Sequence, residues 1–301
     1  MVPALFTVDE VSYSYNQVIA LENLSLRFNR GERVTLLGAN GSGKSTLLRL
    51  LAALTFAHRG RITFDGRLLT SSAFQQAEFF YAFRRRVGIV FQNPDVQLFN
   101  ASVFDEVAFG PLQLGWPRTE IRDRVTDTLQ LMGVEQLRHR APHRLSGGEK
   151  KRVALASVLI TEPEVLLLDE PISALDPASQ NGIIELLLSW AGSSRTVITA
   201  THDLNSLESI ADRCLILQNG RLAAEADPYT VLHDLPLLER TGLLRPQRHS
   251  HHGTPVSQPH GHLHATDLKR ESPASLTPEP QMKESKPPVS GTPSGTKTPT
   301  R

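Results

Sequence analysis

Residues 38–46 read Gly-Ala-Asn-Gly-Ser-Gly-Lys-Ser-Thr, and this stretch constrains the fold more than any other. It follows a short apolar run, Arg33 to Leu37 (RVTLL). It precedes Lys44 to Leu54 (KSTLLRLLAAL), which reads as a helix. Gly38, Gly43, Lys44 and Ser45 meet the spacing of a phosphate-binding loop set between a strand and a helix. Glycines there let backbone N–H groups converge on phosphate oxygens. The following helix points the positive end of its dipole at the same anion. A Gly-rich turn that only joins strand to helix is the plain alternative, and the complete motif in its required setting argues against it. Lys44 is then placed to bridge the β- and γ-phosphates, and Ser45 to hold Mg²⁺ through its hydroxyl. Asn40, Gly41, Ser42 and Thr46 belong to the same nucleotide cradle.

Short apolar runs recur between helical patterns. Val165 to Leu168 (VLLL) and Thr196 to Thr199 (TVIT) are further buried-strand candidates, so the chain reads as α/β with a parallel sheet. Asp65-Gly66 and Asn219-Gly220 lie between strand-like runs and predict hairpin turns. Thr119 to Val134 is amphipathic and charged, and reads as helix. The pattern stops near residue 246. The segment from Pro246 to Arg301 holds ten of the twenty prolines, with many Ser, Thr and Gly, and predicts disorder. The expected division is an α/β body over 1–245 and a His/Pro/Ser/Thr-rich tail over 246–301.

A formal net charge of +1 gives no reason to expect nucleic acid as a partner. One cysteine, Cys214, permits no intramolecular disulfide and suits a reducing compartment. No run of about 18 apolar residues could span a bilayer. The N-terminus has neither the basic start nor the apolar stretch of a signal peptide. Work at a membrane would need other chains to hold this one there.

The strand Val165 to Leu168 runs straight into Asp169 and Glu170. Ligands of open α/β sheets bind at that carboxyl end. Asp169 is placed to hold Mg²⁺, through water, and Glu170 to polarise an attacking water. Paired acids alone read equally well as a solvated strand end; the phosphate loop upstream favours the functional reading. His202 in TATHDL closes another apolar run, within reach of a γ-phosphate, and Gln92 in VGIVFQNP closes a third. Either alone is weak, since a single polar residue after a strand is often structural.

Together these residues spell a family. Leu145-Ser146-Gly147-Gly148-Glu149 resembles the signature sequence of ABC ATPases, and Ser173-Ala174-Leu175-Asp176 resembles the D-loop behind their acid pair. In the same resemblance Gln92 matches the Q-loop and a Mg²⁺ ligand, His202 the switch histidine, and Tyr15 the aromatic stacked on adenine. The likeness covers about residues 5–225. It implies a P-loop NTPase fold: a RecA-like core, an antiparallel β subdomain, and a helical signature subdomain over about 93–153. It also implies a sandwich dimer in which ATP and Mg²⁺ lie between the phosphate loop of one subunit and Ser146, Gly147, Gly148 and Asp176 of the other. Glu170 would be the base, with Gln92, Lys44 and His202 around the γ-phosphate. Ser146 and Glu149 also fit an ordinary helix-capping box, and both readings can hold. Glu149 departs from the Gln common at that position.

Gly88 to Pro111 and Leu145 to Pro171 resemble the ATPase subunits of energy-coupling-factor importers, the cobalt and nickel branch above all. That branch implies a peripheral place on the cytoplasmic face of the cell membrane. Its partners would be a transmembrane scaffold subunit and a substrate-binding membrane subunit. Pro94, Leu98 and Phe99 are expected near the scaffold groove, or else simply packed within the subdomain. His249, His251, His252, His260, His262 and His264 fall within sixteen residues of the tail. Imidazole suits Ni²⁺, Co²⁺, Zn²⁺ and Cu²⁺; a solvated tail that binds metal only because any His cluster does is the alternative. Nickel and cobalt are not separated by these residues, nor a homodimer from a heterodimer. Import of another solute such as a vitamin, and a non-transport ABC ATPase, stay open as rival functions.

Overall fold

The computed structural model describes residues 4–244 except Ala174. The histidine-rich tail therefore lies outside the described residues. The described chain starts with two long antiparallel strands, β1 (Ala4–Tyr15) and β2 (Val18–Asn29). Next come β3 (Arg33–Leu37) and α1 (Lys44–Leu51). The hairpin β4 (Arg59–Phe64) and β5 (Arg67–Leu68) leads to α2 (Ala77–Arg86) and β6 (Val87–Val90). The helices α3 (Val103–Gln113), α4 (Arg118–Leu131) and α5 (Gly147–Leu159) follow. The remainder is β7 (Val165–Asp169), α6 (Pro177–Ser189), β8 (Thr196–Thr201), α7 (Leu207–Ile210), β9 (Arg213–Gln218), β10 (Arg221–Ala226), α8 (Pro228–His233) and α9 (Leu235–Arg240).

Two sheets result. The smaller runs β2-β1-β4-β5 and is antiparallel. The larger runs β10-β9-β3-β8-β7-β6, with every neighbour from β9 to β6 parallel and β10 an antiparallel edge. Leu166, Leu167 and Leu168 have no exposed surface, because a parallel strand is covered on both faces. Leu167 packs with β1, β2, α1 and the ring cluster of Phe6, Phe28, Phe64 and Phe83. Leu166 and Leu168 face the opposite way, into α3, α4, α5 and α6. One five-residue strand thus holds both layers together.

Both predicted hairpins form. Asp65 and Gly66 have φ of 51° and 75°, Asn219 and Gly220 φ of 49° and 76°, so both central residues of each turn are left-handed, as a twisted two-residue hairpin needs. Some boundaries differ from expectation. The helix after the phosphate loop ends at Leu51, three residues early, where Ala53 turns left-handed at φ 49°; the apolar run continues to Leu54 and hides that stop. The helix α5 reaches Leu159, so the expected subdomain edge at 153 falls inside it. Its packing on the sheet, through Val153, Leu155 and Leu159, is continuous across that edge.

A charged cluster ties the small sheet to the core. Arg86 bonds Glu164 at 2.7 Å and Asp65 at 2.8 Å, and Arg30 pairs with the same two carboxylates. The Arg86 guanidinium also lies over the Phe64 ring at 4.5 Å. Hydrogen bonding from Arg86 holds the Asp65 carboxyl below its ordinary pKa.

Candidate active site

The phosphate loop crosses from β3 to α1 at the carboxyl edge of the parallel sheet. Gly38, Gly41 and Gly43 all have positive φ, at 150°, 81° and 108°. Two of them are also packed shut: a Cβ on Gly38 would lie 2.3 Å from the Leu217 carbonyl, and one on Gly43 would lie 2.7 Å from that of Ala20. Only glycine meets both demands. Gly41 and Asn40 are exposed, while Ser42 and Thr46 are buried. The Asn219-Gly220 turn braces the loop from behind. Gly220 N–H donates to the Ser42 carbonyl at 3.1 Å, and Glu22 N–H donates to the Gly220 carbonyl at 2.9 Å.

Lys44 begins α1 with its side chain turned back across the loop. Its buried ammonium donates to the Gly38 carbonyl at 2.6 Å and the Ala39 carbonyl at 3.2 Å. Burial lowers its pKa, and the negative charges of Glu170 and Asp169 pull the other way. Those acids end β7, one strand beyond β8 in the sheet. Burial raises the Asp169 pKa, opposed by the Ser45 hydroxyl and the charges of Lys44 and Arg49. Its Oδ1 is buried and has no hydrogen-bond partner among the described residues. An orphan carboxylate oxygen beside a serine hydroxyl and a phosphate loop suits a hard divalent cation.

Glu170 is 4% exposed and left-handed at φ 49°. For a side-chain-bearing residue that conformation costs about 1–3 kcal/mol and persists only where its surroundings impose it. Here its N–H donates to the Ala200 carbonyl at 2.8 Å. Its Oε2 accepts from Thr201 Oγ1 at 3.1 Å, and His202 Nδ1 donates to its Oε1 at 2.6 Å. The His202 ring stays half-exposed, with the carboxylate at its inner end. Lys44, Ser45, Asp169, Glu170 and His202 therefore lie together at this edge of the sheet.

The other expected residues stand apart from this group. Gln92 is exposed beyond the end of β6 and makes no side-chain hydrogen bond among the described residues. Tyr15 ends β1 beside α1: its ring meets Tyr13 edge-on at 4.9 Å, and Arg49 Nη1 donates to its hydroxyl at 3.4 Å. Ser146 caps α5 in a full capping box, accepting from Glu149 N–H while Glu149 Oε2 accepts from Ser146 N–H at 2.7 Å. That leaves the N–H groups of Gly147 and Gly148 free for a ligand. Asp176 caps α6, accepting from Ser179 N–H at 3.0 Å. Pro94 and Leu98 are partly buried and Phe99 is 67% exposed, its ring edge-on to Phe109 at 5.0 Å.

Three contributors escaped the sequence reading. Thr201 holds Glu170 from the neighbouring strand. Gln97 pins the segment after β6, accepting from Phe91 N–H at 3.3 Å and donating to the Ala154 carbonyl at 2.8 Å. Lys151 reaches the Glu170 carbonyl at 2.8 Å. Only for Thr201, next to His202, was there a local signal.

The family model described as ABC transporter matches residues 21–173. The chain belongs to the ABC transporter family. It is an ABC ATPase, which binds and hydrolyses ATP. The chain is 53% identical over 247 residues, 81% of its length, to the nickel import ATP-binding protein NikO of Rhodobacter capsulatus, 97% of which is covered. Among solved structures it is similar to cbiO1 from Clostridium perfringens, part of the ABC transporter complex cbiONQ. That match has a TM-score of 0.66 at 36% identity, covering 80% of this chain and 95% of that one. A dimeric ATP-binding cassette solved in a post-hydrolysis state with ADP and Pi aligns at a TM-score of 0.68 and 27% identity, over 74% of this chain and 98% of that one.

Proposed function

We propose that two copies of this ABC ATPase close around two ATP molecules and so energise uptake of nickel or cobalt through partner membrane subunits. The observation that carries the metal is the 53% identity, over 97% of that protein's length, to a nickel import protein. The histidine tract of the tail, rich in imidazole ligands, agrees with it. Pairing with a second copy is favoured because one chain holds both halves of a site intact: the phosphate loop with its acids, and the capped α5 N-terminus. Among the described residues no helix is long and apolar enough to cross a membrane. The ATPase would act from the cytoplasmic face, with its exposed Phe99 edge toward a transmembrane scaffold.

Each residue then has a task. The loop N–H groups and Lys44 neutralise phosphate charge. Ser45 and Asp169 would hold Mg²⁺, which supplies charge neutralisation at the β- and γ-phosphates. Glu170 takes the proton of the water whose oxygen bonds to the γ-phosphorus as the bond to ADP breaks. His202 and Thr201 hold its carboxylate in place. Gln92 and His202 would contact the γ-phosphate, and Tyr15 the adenine face. Ser146, Gly147 and Gly148 complete the site of the partner copy.

The test is nickel and cobalt content in cells lacking the protein, restored with wild type, Lys44→Ala, or a chain ending at Arg245. Wild type should restore accumulation of one of these metals and Lys44→Ala should not. Unchanged metal content in every strain rejects the importer reading while leaving the ATPase intact. The shortened chain reports whether the tail serves uptake.

A further inference from the structure

The ammonium of Lys151 is buried on the second turn of α5, and all three of its bonds go to one segment. It donates to the Glu170 carbonyl at 2.8 Å, the Ser173 carbonyl at 2.6 Å and the Ser173 hydroxyl at 3.0 Å. Ser173 Oγ in turn donates to the Glu170 carbonyl at 3.0 Å. Two side-chain donors therefore converge on the carbonyl of the left-handed Glu170. The next residue repeats the link: Arg152 Nη1 donates to Ser179 Oγ at 3.2 Å, and Ser179 Oγ donates to Asp176 Oδ2 at 2.6 Å. Consecutive residues of α5 thus grip both ends of the segment from Glu170 to Asp176. The N-terminus of that helix is Ser146–Gly148, the end proposed above to complete the partner copy's site.

A buried ammonium is costly unless its donors are satisfied. Burial lowers the pKa of Lys151, and the charges of Glu170 and Asp169 oppose that. A methionine would fill the same space without that cost. What the cation adds is a directed, charge-assisted bond to the residue that aims the Glu170 carboxylate, a geometry in which displacements near 1 Å matter. We propose that Lys151 is a positioning residue for hydrolysis, tying the helix that reads the partner copy's nucleotide to the turn that aims Glu170. The proposal rests on the reading of Glu170 as the base. It makes each half-site sense the other: closure of α5 on one nucleotide sets the carboxylate acting on the second.

The experiment uses the full chain with Lys151→Met, Lys151→Gln and Ser173→Ala, beside Glu170→Gln. ATPase rate against MgATP, binding of a fluorescent ATP analogue and thermal melting are measured. Lys151→Met should lower kcat about tenfold or more, the scale of one charge-assisted bond, with KM and analogue affinity within about twofold. The Hill coefficient for MgATP should fall. Lys151→Gln, which keeps an N–H donor, should recover part of kcat, and Ser173→Ala should lose less than Lys151→Met in the same direction. Wild-type kcat in Lys151→Met overturns the proposal, as does a kcat loss matched by lost affinity, or equal loss in the Gln and Met variants. Should Lys151→Met not fold, unchanged kcat in Ser173→Ala is the overturning result. Hydrolysis by Glu170→Gln would instead remove the base reading itself, and this proposal with it.

Discussion

Glu170→Gln should bind MgATP as wild type does and turn over slower by about a thousandfold, within the usual share of a general base. The substitution is close to isosteric. A Gln amide oxygen can still accept from Thr201 Oγ1, and its NH₂ can face His202 Nδ1, so the two side-chain bonds at 3.1 Å and 2.6 Å both have successors. The left-handed backbone is held from outside the side chain, by the Ala200 carbonyl and by Lys151, and should not relax. What is lost is the ability to take a proton. A trapped, nucleotide-bound dimer should therefore accumulate, visible as a doubled mass by light scattering in MgATP. A variant that hydrolyses ATP near the wild-type rate would show that the water is activated elsewhere.

Lys44→Ala should lower MgATP affinity about 10- to 100-fold, read by calorimetry, and leave no measurable turnover. The range follows from one or two charge-assisted bonds to phosphate oxygens. In the structure the same ammonium crosses the loop to the Gly38 and Ala39 carbonyls. Those bonds hold it ready without committing it, since phosphate oxygens are stronger acceptors than neutral carbonyls. Thermal melting separates this loss from misfolding. Burial lowers the Lys44 pKa in the folded chain, so folding weakens proton binding there. The charged lysine therefore contributes unfavourably to folding at neutral pH, below its unfolded pKa.

Much of the site was legible because its parts are local. A glycine loop between strand and helix, an acid pair after four apolar residues, and a serine three places before a glutamate each declare a backbone conformation within a few residues. Asn219-Gly220 was legible as a turn, but its contact with Ser42 was not, since nothing in a hairpin states what it will brace. Thr201, Gln97 and Lys151 act across distances of 31, 57 and 19 residues in sequence, and only the packing of β8 and α5 on β7 reveals them. The long strands β1 and β2 were hidden for a different reason. Left-handed residues at Glu10 and Asn23 interrupt their alternation, register shifts lie along their pairing, and the left-handed Asn16 and Gln17 form the turn between them. The small antiparallel sheet was foreseen from family resemblance alone. The end of α1 was missed because Ala52 to Leu54 continue its apolar run.

The central claim is that a working site is shared between two copies, and mixing tests it most directly. Lys44→Ala removes the phosphate half of a site, and Gly148→Asp puts a negative charge and a side chain at the free N-terminus of α5. Each variant alone should be inactive. In a mixed dimer the intact loop of the Gly148→Asp chain faces the intact α5 of the Lys44→Ala chain, so one whole site is restored. Purified together, the two dead variants should hydrolyse ATP. If the mixture stays as inactive as its components while an affinity tag on one variant recovers the other, showing that mixed dimers form, the shared site is contradicted.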